Sequence, residues 1–140
     1  METEKATETV PRPYCSERLN KRDAVWYQRH VSAWELADMT GGATAEHVEE
    51  CGKLLDSIQR HALAAARHWE ADNDPRNFDR DGKPRPAHQR EEERLQTRCT
   101  KLKKRLEDLT GGALRLESHG LYLSVVDKRG RDMYMLHWFD

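Results

Sequence analysis

Leu106-Glu107-Asp108-Leu109-Thr110-Gly111-Gly112-Ala113-Leu114-Arg115-Leu116 is where the chain changes period, and that change decides the fold class. Upstream, Leu95, Cys99, Leu102, Leu106 and Leu109 recur by alternating steps of four and three, the spacing of one apolar helix face. Downstream, Leu114 and Leu116, then Leu121, Leu123 and Val125, then Met133, Met135, His137 and Phe139 alternate with their neighbours, as strands do. Thr110-Gly111-Gly112 separates the two regimes, because glycine takes positive φ without a Cβ clash and so stops a helix. The chain is therefore expected to be α+β, with helices first and an antiparallel β-hairpin or three-stranded sheet last.

Outward from that junction, the third helix is expected over residues 87–110. Its Glu91, Glu92 and Glu93 lie early and its Lys103, Lys104 and Arg105 late, which suits the helix dipole. Asn73 to Pro86 reads as a charged loop with three prolines and an Asp81-Gly82 turn. A second helix is expected over residues 44–72, capped by Thr44 with Glu46 in its first turn. Val48, Cys51, Leu55, Ile58, Ala62, Ala65 and Trp69 mark a coiled-coil-like seam along it, and Asp72-Asn73-Asp74-Pro75 ends it. The first helix is expected over residues 17–40, capped by Ser16, with Leu19, Trp26, His30, Ala33 and Ala37 on one side. Strands are expected at 113–117, 121–126 and 131–138, with Asp127-Lys128-Arg129-Gly130 as the hairpin turn. Leu36-x-Asp38-x-Thr40-Gly-Gly-Ala matches Leu106-x-Asp108-x-Thr110-Gly-Gly-Ala, but the match does not extend upstream. It reads as two similar caps, not a duplicated domain. The second and third helices form a long antiparallel pair in this reading, with the first helix packed on it. Residues 16–140 make one α+β domain, after a dangling tail over residues 1–15.

Composition narrows the function classes. Charged residues make up 35% and aromatics 7%, and no apolar run approaches a membrane span. Mean hydropathy is −1.00 and the isoelectric point about 6.7, which argues against a dedicated nucleic-acid or membrane binder. Met1 to Pro13 has neither a secretory nor a transit pattern. Cys15, Cys51 and Cys99 are widely spaced without C-x-x-C, as in a reduced cytoplasmic chain.

No nucleophile elbow, phosphate-cradling glycine loop, zinc-protease motif or dinucleotide fingerprint occurs. His47 and Cys51 lie four apart, and His61 and His68 seven apart, but no second compact pair completes a zinc set. The expectation is a non-enzyme with no catalytic, cofactor or metal residues; only a site assembled by folding would change it. Two surfaces could bind a partner. Arg90, Arg94, Arg98, Lys101 and Arg105 step by four, four, three and four, making one basic stripe. It is either a solvated flank or a track for phosphates or an acidic protein surface. Lys128, Arg129 and Arg131 crowd the hairpin tip, and Tyr122, Val126, Tyr134, Leu136 and Trp138 add an apolar second sheet face. That face either packs under a helix or meets a partner or a second copy in a homodimer.

Gly82-Lys83-Pro84, Arg90-Glu91, and Asp127, Arg129, Gly130 and Tyr134 fall in a layout from Leu55 onward that resembles small bacteriophage and prophage accessory proteins. Lys128 stands where those proteins have proline, and Tyr134 is displaced by one position. The resemblance implies a viral protein acting in the bacterial cytoplasm. It also implies an inhibitor of host defence, of the anti-CRISPR kind, that occludes a host protein or nucleoprotein complex. It carries over no catalytic residue. The alternative is a small nucleic-acid-binding regulator using the basic stripe.

Overall fold

The computed structural model describes residues 8–14, 18–119 and 122–135. Among the described residues, three helices precede a three-stranded antiparallel sheet, so the chain is α+β. They are α1 (Lys21–Met39), α2 (Ala45–Ala71) and α3 (Pro86–Thr110), with a single 3-10 turn at Pro75–Asn77. The strands β1 (Leu114–His119), β2 (Tyr122–Asp127) and β3 (Asp132–Met135) lie in the order β1-β2-β3. The described residues divide into two compact units, one up to Asp56 and one from Ser57, the boundary falling inside α2.

In the first unit, α1 begins at Lys21 because Asn20 caps it, its Oδ1 accepting from the Asp23 amide at 2.8 Å. This corrects the start expected at Glu17; Ser16 lies outside the described residues. On the expected face of α1, Ala33 and Ala37 are buried with Leu36 beside them, but Trp26 is 58% exposed and packs at a 34° tilt on the exposed His30, ring centroids 4.0 Å apart. Ala33 faces Gly52 of α2, where an added Cβ would sit at an ordinary contact distance of 3.6 Å from the Ala33 Cβ. The segment expected to dangle is tied down from Thr9 to Pro13. Thr9 bridges Thr44, and the Val10 amide donates to the Ala43 carbonyl at 2.7 Å. Trp34 Nε1 donates to the Val10 carbonyl at 2.7 Å and the Tyr27 hydroxyl to the Pro13 carbonyl at 3.0 Å. Backbone partners of this kind hold a segment that composition alone would leave loose.

The two Thr-Gly-Gly stops do the same work. The Thr40 hydroxyl donates to the Leu36 carbonyl at 2.6 Å and the Gly42 amide to the Ala37 carbonyl at 3.0 Å. The Thr110 hydroxyl donates to the Leu106 carbonyl at 2.9 Å and the Gly112 amide to the Glu107 carbonyl at 2.9 Å. Gly111, at φ +61°, takes the left-handed conformation that turns the chain into β1. After the first stop, Thr44 starts α2, its hydroxyl accepting from the His47 amide at 3.2 Å.

In the second unit, Ile58, Ala62, Leu95, Leu102 and Leu106 are buried as their spacing requires. Trp69, expected at the end of the seam, is instead 49% exposed. Near the end of α2 inward places are taken by His61 and His68, one position before Ala62 and Trp69. His61 lies within the field of Arg98 and His68 stacks on His88, so this half of α2 and α3 run antiparallel.

Leu114, Leu116, Leu123 and Val125 fill the inner face of the sheet, but Ser124 and Val126 are fully buried too. The central strand is thus covered on both sides at these positions, and of the two readings of the second face Val126 fits the packed one. The pairing of Val125 with Tyr134 but Val126 with Asp132 leaves Met133 as a bulge, 42% exposed. The bulge interrupts the alternation expected from Met133 onward. Residues 136–140, the end of the expected last strand, lie outside the described residues.

Candidate binding face and histidine cluster

Helix α3 is started by Pro86, whose fixed φ suits the first helical position, and stopped by Gly111. With Leu95, Leu102 and Leu106 buried on one face, the remaining faces point outward. Arg90, Arg94, Arg98, Lys101 and Arg105 are all exposed, one row roughly 20 Å long at 1.5 Å of rise per residue. A shallow groove of about 580 Å³ runs along the row, lined by Arg90, Glu93, Arg94, Thr97, Arg98 and Lys101. Arg94 clasps Glu91, its Nη2 2.6 Å from Oε2, and that hydrogen bond holds the Glu91 carboxyl below the usual range. Burial lowers the His61 pKa from the ordinary 6.5, and the nearby Arg98 charge lowers it further. The row therefore acts electrostatically inward as well as outward.

At the hairpin tip, Lys128, Arg129 and Arg131 are exposed. Asp127 organises the turn, its Oδ1 accepting from the Arg129 and Arg131 amides at 2.9 Å and its Oδ2 from Arg131 Nε at 2.7 Å. The Arg131 backbone contact leads in holding the Asp127 carboxyl low. Arg131 is thus engaged in the turn itself. Tyr134 pairs with Val125 through the backbone, while its side chain and all of Trp138 lie outside the described residues.

A second constellation is assembled where α2 ends and α3 begins. The chain between them is knitted by side chains. Asn77 Nδ2 donates to the Ala71 carbonyl at 2.8 Å, and the Arg85 amide donates to the Asn77 carbonyl at 2.8 Å. Asp79 Oδ1 accepts from the Asp81 and Lys83 amides at 2.9 Å, and Gly82, at φ +75°, completes the turn. This loop returns His88 to the last turn of α2. His88 Nε2 lies 2.6 Å from Asp72 Oδ1, and His68 Nε2 lies 3.9 Å from the same oxygen. The two imidazoles stack with centroids 4.3 Å apart, and Phe78 packs edge-on to His88 at 5.4 Å. The side chains of His68 and His88 are only 11% and 7% exposed, whereas Asp72 is 50% exposed. His68 Nε2 is buried and finds no hydrogen-bond partner among the described residues. A buried polar atom left so costs about 1–3 kcal/mol.

His47 and Cys51, one of the two pairs noted for their spacing, behave differently. His47 Nε2 lies 2.7 Å from the Thr40 hydroxyl and 3.9 Å from Cys51 Sγ. Burial pushes the Cys51 thiol up to about 11, so it is neither a ready nucleophile nor a ready metal ligand. His68 in the last turn of α2 and Asp72 just after it, four apart in sequence, could have been noticed as a pair; His88, sixteen residues further, joins them only through the loop. Comparison with family models, curated proteins and solved structures returns no match. Among the described residues, no helix is long and apolar enough to cross a membrane.

Proposed function

We propose that the protein is a non-enzymatic binding protein whose α3 row docks on an acidic protein surface. The observation that carries this reading is the exposure of all five cations, Arg90, Arg94, Arg98, Lys101 and Arg105, on one helix face. Arginine suits the task, since its planar fork meets a carboxylate with two hydrogen bonds. Glu91 and Glu93 sit among the cations, and Glu93 lines the groove. Interleaved acids favour a patterned protein surface over a continuous phosphate backbone, which would repel them. The resemblance to phage accessory proteins supports a host defence complex as the partner, inhibited by occlusion in the bacterial cytoplasm.

Reversing Arg98 and Arg105 to glutamate tests the reading. The chain should keep its circular-dichroism spectrum, because both residues are exposed, and should lose the partner that the wild type retains from nuclease-treated host lysate. Truncating one member of a desolvated charge pair costs about 2–5 kcal/mol. Equal retention by the reversed chain would reduce the row to a solvated flank. The nucleic-acid alternative requires wild-type binding to duplex DNA or RNA that collapses between about 50 and 200 mM salt as counterions are released.

A further inference from the structure

We infer that His68, Asp72 and His88 form a binding site for one divalent cation of the zinc class, fastening the last turn of α2 to the first turn of α3. His68, Asp72 and His88 offer two imidazole nitrogens and a carboxylate oxygen, one ligand atom from each lying within 4.8 Å of the others. Imidazole and carboxylate together suit zinc and its first-row neighbours, not calcium or magnesium, which take oxygen. Bonds of about 2.0–2.2 Å at a tetrahedral angle place donors roughly 3.3 Å apart. The separations from Asp72 Oδ1 are 2.6 Å to His88 and 3.9 Å to His68, one short of that spacing and the other long. Lengthening the first distance and shortening the second both require the Asp72 carboxylate to move. Asp72 is half exposed and has room to make the shift, while the stacked imidazoles are held in place.

One further observation points to an ion. The hydrogen bond from His88 to Asp72 leaves His68 Nε2 buried and unpartnered among the described residues, and a metal would satisfy it. The exposed side of Asp72 leaves a fourth position for water. The site does not depend on the basic row, and its test is independent of partner binding.

The full chain, freed of metal with a chelator, is titrated with Co²⁺ followed by visible absorption, then with Zn²⁺ in competition. One equivalent should bind, and Zn²⁺ should raise the melting temperature because it binds the folded chain preferentially. His68→Ala and Asp72→Asn should each weaken binding about tenfold or more while keeping the helical spectrum. Asp72→Asn retains an acceptor for His88, so it separates ligand loss from loss of fold. His47→Ala should bind as the wild type does. The inference is overturned by the absence of saturable binding at one equivalent, or by unchanged affinity in both the His68 and Asp72 variants. A thiolate-to-cobalt charge-transfer band would also overturn it, since it would place the ion on a cysteine.

Discussion

The two histidine clusters of α2 invite a direct comparison. Near its first turn, His47 meets Thr40 and Cys51, and near its last turn His68 meets Asp72 and His88. Spacing noted His47 with Cys51 and His61 with His68, and completed a ligand set for neither. In the first cluster His47 has a hydroxyl partner, and Cys51 is a fully buried thiol whose ionisation burial opposes. The second cluster is polar, reaches solvent through Asp72 and leaves a buried nitrogen unsatisfied. Residue type nominates ligands, but burial and the partners already taken decide which of them remain available.

The comparison would break most sharply in the energetics of the second unit. Leu102 is 4% exposed, so Leu102→Ala is expected to cost about 2–5 kcal/mol in urea unfolding. His68→Ala should cost much less, because the nitrogen it removes satisfies nothing. If the two variants proved equally destabilised, the histidine cluster would be a structural strut and not an available site.

The first cluster can be sharpened by alkaline titration. Folding raises the Cys51 pKa from 9.0 to about 11, so the fold favours the neutral thiol. The stability linked to it is complete below pH 9 and is lost as pH rises from 9 toward 11. The decline should appear in the difference between wild type and Cys51→Ala, whose unfolding free energies are compared across that range. Parallel curves would mean that Cys51 is not shielded.

The smallest effect concerns His61, which lies between the clusters along α2. Its pKa is lowered from 6.5, by burial first and by Arg98 second. Its contribution to stability is therefore present above pH 6.5 and is lost as pH falls through the lowered folded value. Arg98→Ala removes the repelling charge and should make that acid loss slightly shallower, as read by melting temperature from pH 7 to 5. An unchanged slope would show that burial alone governs His61.

Much of the architecture was local, and so could be read from the chain. Leu95, Leu102 and Leu106 are buried as their steps of four and three require, and Leu114, Leu116, Leu123 and Val125 as alternation requires. The Thr-Gly-Gly stops fall at both expected places, since glycine's freedom at positive φ needs no tertiary partner. The basic row was likewise legible, because its members are fixed relative to one another by a single helix. Tertiary structure decided what depends on non-local partners. It turned Trp26 and Trp69 outward, tied Thr9 to Pro13 against α1 and the turn after it, and placed a bulge at Met133. It also brought His88 to His68 and Asp72, across a loop whose path is set by Asn77, Asp79 and Arg85. A repeat along the chain fixes directions around one helix axis. Which side chains then meet depends on how the loop turns and where the second helix comes to rest, and no repeat encodes that.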